Sequence, residues 1–290
     1  MKKRKPASHS EKPEFYLVDF FELLEDKSLA EIDCSVFSLK AGDTAIKQYE
    51  FKNIQVQVIP TTNGRASIYD KDVWLYCIAL YIHRLKTQSA STEKSISFTA
   101  HDFLISTGKR ADGDSYRRLL ETIDKLLHTQ VQIIIQDEDE IEQILNYHFI
   151  ESWEVIEHEL TGRMSAIKIT FPDWLCAALK TNTIPTLNIN YFKLRKPLER
   201  RAYELARKYC ANQAKWSVSL DELYDKSGST ATTREFRRLM KMVARQNKLP
   251  DYQLRYDAYT DYVNFYNHGK RGYKAQIRDL VSQLNRKRIP

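Results

Sequence analysis

The chain has 290 residues, of which 42% are hydrophobic and 11% aromatic, and its formal net charge is +7. This length and composition are typical of a globular protein large enough for two domains. No run approaches the roughly 20 consecutive apolar residues that a membrane span needs, and no signal-peptide pattern follows the N-terminus. We therefore expect a cytoplasmic protein without membrane contact.

The charge is distributed unevenly along the chain. Residues 181–290 hold 23 Lys and Arg against 10 Asp and Glu, whereas residues 1–180 hold 22 against 28. A strongly basic half beside a mildly acidic one indicates a polyanionic partner for the C-terminal half.

The N-terminal elements can be predicted from periodicity. Residues 1–13 are polar and basic without a period, so we expect a disordered arm. Alternating apolar residues over 45–60 predict two short strands, and residues 61–64 predict a turn. Apolar side chains at helical spacing predict a helix over 69–86.

A strand, a short helix and a long helix are predicted next, over residues 95–98, 99–107 and 113–128. Thr99 and Asp112 are suited to cap the two helices at their N-termini. Gly108 is suited to end the short helix in a left-handed conformation. The inward stripe of the long helix is expected to be Tyr116, Leu119, Leu120, Ile123 and Leu127.

Strands dominate the rest of the first half. The β-branched run at 131–136 predicts a strand, and the acidic residues 137–143 predict a solvated connection. Two further strands, over 148–160 and 163–171, are expected around a turn at Thr161 and Gly162. A helix, a strand, two helices and then a hairpin or small sheet is the order of a winged helix, a variant of the helix-turn-helix.

The same order then recurs. We predict helices over 196–210, 219–228 and 232–247, with Ser219 and Thr232 suited to cap the last two. Strands are predicted over 216–218, 252–257 and 262–267. Residues 96–120 align with 216–240 without a gap, and six of these 25 positions are identical. The matched positions are caps, helix ends and inward stripe, which determine the fold.

These patterns predict an α+β chain with two tandem winged-helix domains that carry β-hairpin wings. The predicted divisions are a basic arm (1–13), an N-terminal domain with extra N-terminal strands for dimerisation and DNA binding (14–180), and a C-terminal domain as the main DNA-binding unit (181–290).

The second long helix gathers positive charge on one face. The cations are Arg234, Arg237, Arg238, Lys241 and Arg245. Several are like-charged pairs at i,i+4 spacing, each of which destabilises the free helix by a few tenths of a kcal/mol. An anionic partner offsets this repulsion, and the arginine fork suits guanine edges and phosphates. The pattern therefore favours DNA contact over a plain solvated surface.

The first long helix is more mixed. Its candidate DNA contacts are Arg117, Arg118 and Lys125, together with Lys109 and Arg110 in the preceding turn. Asp114 and Glu121 share its outer face and repel phosphates, so we expect weaker DNA binding by this helix. On the helix over 196–210 and just before it, Arg195, Lys196, Arg200, Arg201, Arg207 and Lys208 are expected to contact phosphates. Arg286, Lys287 and Arg288 could add non-specific attraction.

Motifs for enzyme chemistry are missing from the sequence. The segment "STGKR" (106–110) lacks the upstream glycine of a phosphate-binding loop, and neither a G-x-S-x-G nor an H-E-x-x-H motif occurs. The four cysteines are scattered without a C-x-x-C pair, which favours reduced structural thiols. We expect no metal, no cofactor and no catalytic activity; a nucleophile among the 17 tyrosines is the alternative.

One long segment resembles a known family. "YEFKNIQVQVIPTTNGRASIYDKDVWLYCIALY" (49–81), followed by the "SYRRL" helix and the second winged helix, resembles the plasmid replication initiator protein A family. The resemblance covers about residues 35–285. It implies tandem winged helices that bind repeated sites (iterons) at a plasmid or phage origin and open it with host replication proteins such as an initiator and a helicase.

The resemblance also implies monomeric and dimeric forms, the dimer often joined through the N-terminal domain and able to repress its own gene. The family's DNA-reading role would fall on Arg234, Arg237, Arg238, Lys241, Arg117 and Arg118. Our interpretation is a non-enzymatic initiator that binds double-stranded DNA. The alternatives are a winged-helix transcriptional repressor, a rolling-circle nicking enzyme that uses a tyrosine, and a protein-interaction module.

Overall fold

The computed structural model describes residues 13–26, 29, 32–88, 92–137, 140–157 and 164–286. The predicted arm, except its last residue, lies outside these ranges, as do the turn at 161–162 and Lys287 and Arg288.

In the described residues of the first half, seven strands and four α-helices follow one another. They are β1 (Lys47–Phe51), β2 (Ile54–Ile59), α1 (Lys71–Thr87), β3 (Ser95–Phe98), α2 (Ala100–Ser106), α3 (Gly113–His128), β4 (Gln130–Asp137), β5 (Glu140–His148), β6 (Ser152–Glu157), β7 (Met164–Thr170) and α4 (Asp173–Thr181).

The second half follows a short 3₁₀ turn at Ile189–Lys193. Its elements are α5 (Pro197–Tyr209), β8 (Lys215–Ser219), α6 (Leu220–Ser227), α7 (Thr233–Gln246), β9 (Tyr252–Asp257), β10 (Tyr262–Asn267) and α8 (Lys270–Arg286). Helices and antiparallel sheets occur together, so the α+β prediction is confirmed at this level.

The strands of the described residues form three antiparallel sheets. One has the order β1-β2-β4-β5, and the other two have the orders β3-β7-β6 and β8-β10-β9. In the two three-stranded sheets, the strand that precedes the short helix pairs with the second strand of a later antiparallel pair. These pairings are β3 with β7 and β8 with β10. The repeated unit thus has the same topology in both halves of the chain, and we call its two occurrences the first and second copies. Strands β4 and β5 are an insertion in the first copy. The counterpart of β9 is therefore β6, not the strand that directly follows α3.

The helix caps agree with the sequence prediction. The Thr99 hydroxyl accepts the Asp102 N–H at 3.0 Å, and the Ser219 hydroxyl accepts the Glu222 N–H at 3.2 Å. Asp112 and Thr232 cap α3 and α7 in the same way. Because these bonds satisfy N–H groups that the helix leaves unpaired, they fix where each helix starts.

Four elements differ from the prediction. The acidic stretch 137–143 is not a connection, because β5 begins at Glu140 and pairs with β4. Its later residues alternate, with Leu145 and Tyr147 packed on the core, and that signal was obscured by the acidic composition. Helices α4 and α8 were not predicted. On α3 the buried stripe is Leu119, Ile123 and Leu126, while Leu127 is only half-buried.

Helix α1 lies at the centre of the molecule. Its residues from Lys71 to Ala79 are all buried, and the Trp74 indole N–H donates to the Phe149 carbonyl at 3.1 Å. One continuous hydrophobic cluster contains side chains from both halves of the chain.

A buried polar network joins α1 to α5 across the two halves. The Asp72 carboxylate accepts bonds from Arg200 and, at 2.7 Å, from Lys109. The Lys71 ammonium lies 2.9 Å from the Glu204 carboxylate. We call these five side chains, together with Arg201, the α1–α5 network. Because a buried charge is costly without a partner, each member depends on a residue from the other half or from a neighbouring element.

The N-terminal segment also crosses to the second half. The Leu17 N–H donates to the Pro185 carbonyl, and the Leu187 N–H donates to the Phe15 carbonyl, both at 2.8 Å. The Asp33 carboxylate accepts bonds from Tyr209 and Lys226. The segment is therefore held against α5 and α6.

Candidate nucleic-acid interface

Helix α7 has one apolar and one cationic face. Phe236, Met240 and Val243 are buried in the core. The opposite face carries all five predicted cations, and each is exposed or half-exposed: Arg234, Arg237, Arg238, Lys241 and Arg245. The face thus has the charge and exposure that a polyanion requires.

Two of these cations are tied to the β9–β10 hairpin. The Arg237 guanidinium bonds both carboxylate oxygens of Asp261, with Nη2 to Oδ2 at 2.7 Å and Nε to Oδ1 at 3.3 Å. The Tyr256 hydroxyl donates to the same carboxylate, and the Lys241 ammonium lies 5.0 Å from the Tyr256 ring centre. Arg237 and Tyr256 hold the pKa of Asp261 below its usual value. The hairpin is therefore held beside α7.

The remaining cations of this face are Arg234, Arg238 and Arg245, and all three are exposed. Arg238 forms two bonds with Glu235, at 2.6 and 2.8 Å, on an exposed surface where solvent screens the pair. Within the described part of the chain, Arg234 and Arg245 form no ion pair. These three arginines can turn to an incoming phosphate or base at little cost.

Helix α3 presents less positive charge. Arg117 pairs with Asp114 at 3.3 Å, and Glu121 is exposed on the same helix. Arg118 is exposed, and the Lys125 ammonium lies 4.0 Å from the Asp70 carboxylate. In the preceding turn, the exposed Arg110 lies 3.6 Å from Asp112. The difference between α3 and α7 that the sequence predicted is thus present in the arrangement of side chains.

Two predicted phosphate contacts, Arg200 and Arg201, are wrong, and one predicted DNA contact, Lys109, is held within the protein. Arg200 and Arg201 are buried, and Lys109 is held by Asp72. Arg200 lies between the rings of Tyr69 and Tyr191, and Arg201 donates to the Lys226 carbonyl at the end of α6. The sequence of α5 predicts a basic surface because it does not show the partner of Arg200. That partner, Asp72, lies 128 residues earlier in the chain.

Other cations near α5 are also engaged within the protein. The Arg207 guanidinium donates to the Thr186 carbonyl at 2.8 Å, and Lys208 lies among the carboxylates of Asp19, Glu22 and Asp33. Lys196 is half-exposed and donates to Gln246 on α7 at 3.0 Å, and Arg195 is exposed.

Within the described ranges, no group of three or more His, Cys, Asp or Glu side chains could hold a metal ion. All four cysteines are buried and free, and burial raises the pKa of the Cys34 and Cys77 thiols. No helix among the described residues is long and apolar enough to span a bilayer.

Comparison with known proteins identifies the family. The chain matches the model of the family "Replication initiator protein A" over residues 26–254. It is 36% identical over 255 residues to a protein of Wigglesworthia glossinidia brevipalpis named "Putative replication protein", covering 87% of this chain and 92% of that relative. The chain belongs to the replication initiator protein A family, as its sequence resemblance predicted.

Solved structures add evidence on the fold. Two crystal structures of domains 2 and 3 of RctB are similar to this chain, with TM-scores of 0.57 and 0.55 and 12% sequence identity in each case. The matches cover 80% and 81% of this chain and 94% and 95% of the RctB chains. At this identity the likeness shows a shared fold.

Proposed function

We propose that this replication initiator binds repeated sites in double-stranded origin DNA through two winged-helix units, and that it does so without catalysing a reaction. The units are β3-α2-α3-β6-β7 and β8-α6-α7-β9-β10, with α3 and α7 as the recognition helices and the two hairpins as wings. The proposed setting is the bacterial cytoplasm, with host replication proteins as further partners and with monomeric and dimeric forms.

The cationic face of α7 is the observation that carries this proposal. Its five basic side chains lie beside a hairpin that Arg237 and Asp261 hold in place. A major groove admits one helix, and arginine pairs with guanine edges or phosphates. The fixed hairpin would contact the backbone next to the groove, so that the helix binds in one register.

The two units should contribute unequally. On α3, Asp114 and Glu121 oppose phosphate binding, whereas α7 carries only Glu235 among its cations. Since the units differ, one protein molecule should bind a site without a palindrome. Directly repeated sites are the natural arrangement for such a molecule, and they distinguish an initiator from a repressor that uses one palindromic site.

The test uses the variant Arg234→Ala/Arg238→Ala/Arg245→Ala of the full chain. The matched control is Lys270→Ala/Lys274→Ala/Arg278→Ala, which removes three exposed cations from α8. Because each lost arginine contact to a base is worth about 1–3 kcal/mol, the α7 variant should bind the DNA beside its gene at least about a hundredfold more weakly in a gel shift at fixed salt. The control should bind like the wild type.

The pair Arg117→Ala/Arg118→Ala should weaken binding less than the α7 variant does. Undiminished affinity of the α7 variant would refute the proposed interface. Footprinting on the same DNA distinguishes the functions: protected direct repeats support initiation, a lone protected palindrome supports repression, and metal-dependent strand cleavage supports a nicking enzyme.

A further inference from the structure

Helix α8 is attached to the sheet β8-β10-β9 by its inner face. The Asp279 carboxylate accepts the Tyr266 hydroxyl and the Lys215 ammonium, each at 2.6 Å. Ala275 and Gln276 are buried on the same side. These contacts fix which face of α8 points to solvent.

The outer face of α8 carries a stripe of large apolar side chains. Tyr273, Ile277 and Val281 are 63%, 43% and 50% exposed. At i, i+4 and i+8 they lie in one row along the helix. Single exposed apolar residues are common on soluble proteins, but a continuous row of three on one helix indicates an interaction surface.

Basic residues border this apolar stripe. Lys270, Lys274 and Arg278 form a parallel row, and Arg271 is exposed nearby. Within the described part of the chain, none of these four forms an ion pair. The only acidic residue in α8 is Asp279, which is engaged on the inner face. The outer face is therefore both apolar and uniformly positive.

We propose that the outer face of α8 docks a helix of a partner protein whose apolar stripe is bordered by acidic side chains. An apolar helix face recognises the complementary face of another helix through side chains at i, i+4 and i+8 spacing. Two copies of α8 placed face to face would bring rows of cations together, and this repulsion disfavours a second copy as the occupant. DNA phosphates would pair with the cations but would leave the apolar stripe without a partner.

The test uses a fluorescein-labelled synthetic peptide with the 17-residue length of α8. The peptide has leucines in one helical stripe, glutamates on both sides and alanine elsewhere. Its controls are a scrambled peptide of equal composition and a peptide with lysine in place of glutamate. Fluorescence anisotropy with the full-length protein measures binding.

Three variants of the protein make the test specific. Tyr273→Ser/Ile277→Ser/Val281→Ser removes the stripe, and Lys270→Glu/Lys274→Glu/Arg278→Glu inverts the charge. Ile105→Ser, at a position that is 50% exposed on α2, is the control. We expect the wild type and the control to prefer the acidic helix, and the first two variants to bind it at least about tenfold more weakly. The charge-inverted variant should instead prefer the lysine peptide.

Other occupants give different results. Equal binding of the acidic and scrambled peptides would overturn the proposal. So would a wild-type dimer that the stripe variant dissociates in sedimentation, because a second copy would then occupy α8. Stripe-dependent binding to phosphatidylglycerol vesicles would assign the face to lipid, and loss of origin-DNA affinity in the stripe variant would assign it to DNA. If the stripe variant keeps its DNA affinity, the α8 surface and the proposed DNA interface are independent, and the two proposals can be tested separately.

Discussion

Gly108 and Gly228 hold the same position in the two copies, at the end of the short helix. Both are left-handed, with φ of 67° and 68°. A β-carbon at Gly108 would meet no atom within 4 Å, whereas one at Gly228 would lie 2.8 Å from the Tyr49 hydroxyl oxygen and from the Ser35 β-carbon. Gly108 therefore faces solvent, whereas the equivalent Gly228 packs against the first half of the molecule.

Gly108→Ala should lower the free energy of unfolding by about 1–2 kcal/mol, the cost of a left-handed conformation for an L-residue. Gly228→Ala should cost clearly more, because the overlap with Tyr49 and Ser35 adds to that conformational cost. Urea denaturation of the two variants measures the difference. Equal losses would show that the segment around Ser35 moves aside without cost.

At the scale of elements, α8 depends on one close approach. A β-carbon at Gly272 would lie 1.8 Å from the carbonyl oxygen of Asn267 at the end of β10. Gly272→Ala should therefore displace α8 and raise amide hydrogen exchange along Lys270–Arg286. The control is Gly113→Ala at the start of α3, where a β-carbon meets no atom within 4 Å. Unchanged protection of α8 in the Gly272 variant would contradict the prediction.

The sequence predicted elements best where their determinants are local. The caps at Thr99, Asp112, Ser219 and Thr232 depend on residues three positions away, and the strong apolar stripe of α7 is visible in a short window. Helix α8 was not predicted because several of its apolar side chains face solvent. Its sequence therefore lacks the single core-facing apolar stripe of an ordinary surface helix.

Side chains whose partners are distant in sequence could not be assigned in this way. Arg200 looks like a surface cation until Asp72 and the rings of Tyr69 and Tyr191 are brought to it by folding. The outward cations of α7 could be predicted, since the helix itself determines which side they occupy. The link from Arg237 to Asp261 required the hairpin to be placed.

At the scale of the whole molecule, the α1–α5 network makes stability depend on pH. Burial alone would raise the pKa of Glu204, but Lys71 and Arg201 hold it below its usual value. A carboxyl with a lowered pKa in the folded state stabilises the protein above its unfolded pKa of about 4.3, and this contribution is lost as the pH falls further.

Glu204→Gln should lower the free energy of unfolding at pH 7 by about 3–5 kcal/mol, because Lys71 and Arg201 keep their charges without a buried carboxylate. The difference from the wild type should shrink below about pH 4, where the carboxyl is protonated in the unfolded wild-type chain while it is still charged in the folded protein. Denaturation curves at several pH values measure it. A difference that stays constant down to pH 2 would contradict the assigned ionic role of Glu204.

The α1–α5 network also limits which halves of related proteins can be combined by recombination. Recombination between the genes of two related initiators could join the first half of one to the second half of the other. Unless both parents carry matching charges at Lys71, Asp72, Arg200 and Glu204, the hybrid would bury an unpaired ion at the junction. Among the described residues, the outward cations of α7 form no ion pair with the first half. Under the proposed function, DNA preference can therefore change there by single substitutions while the two halves stay matched.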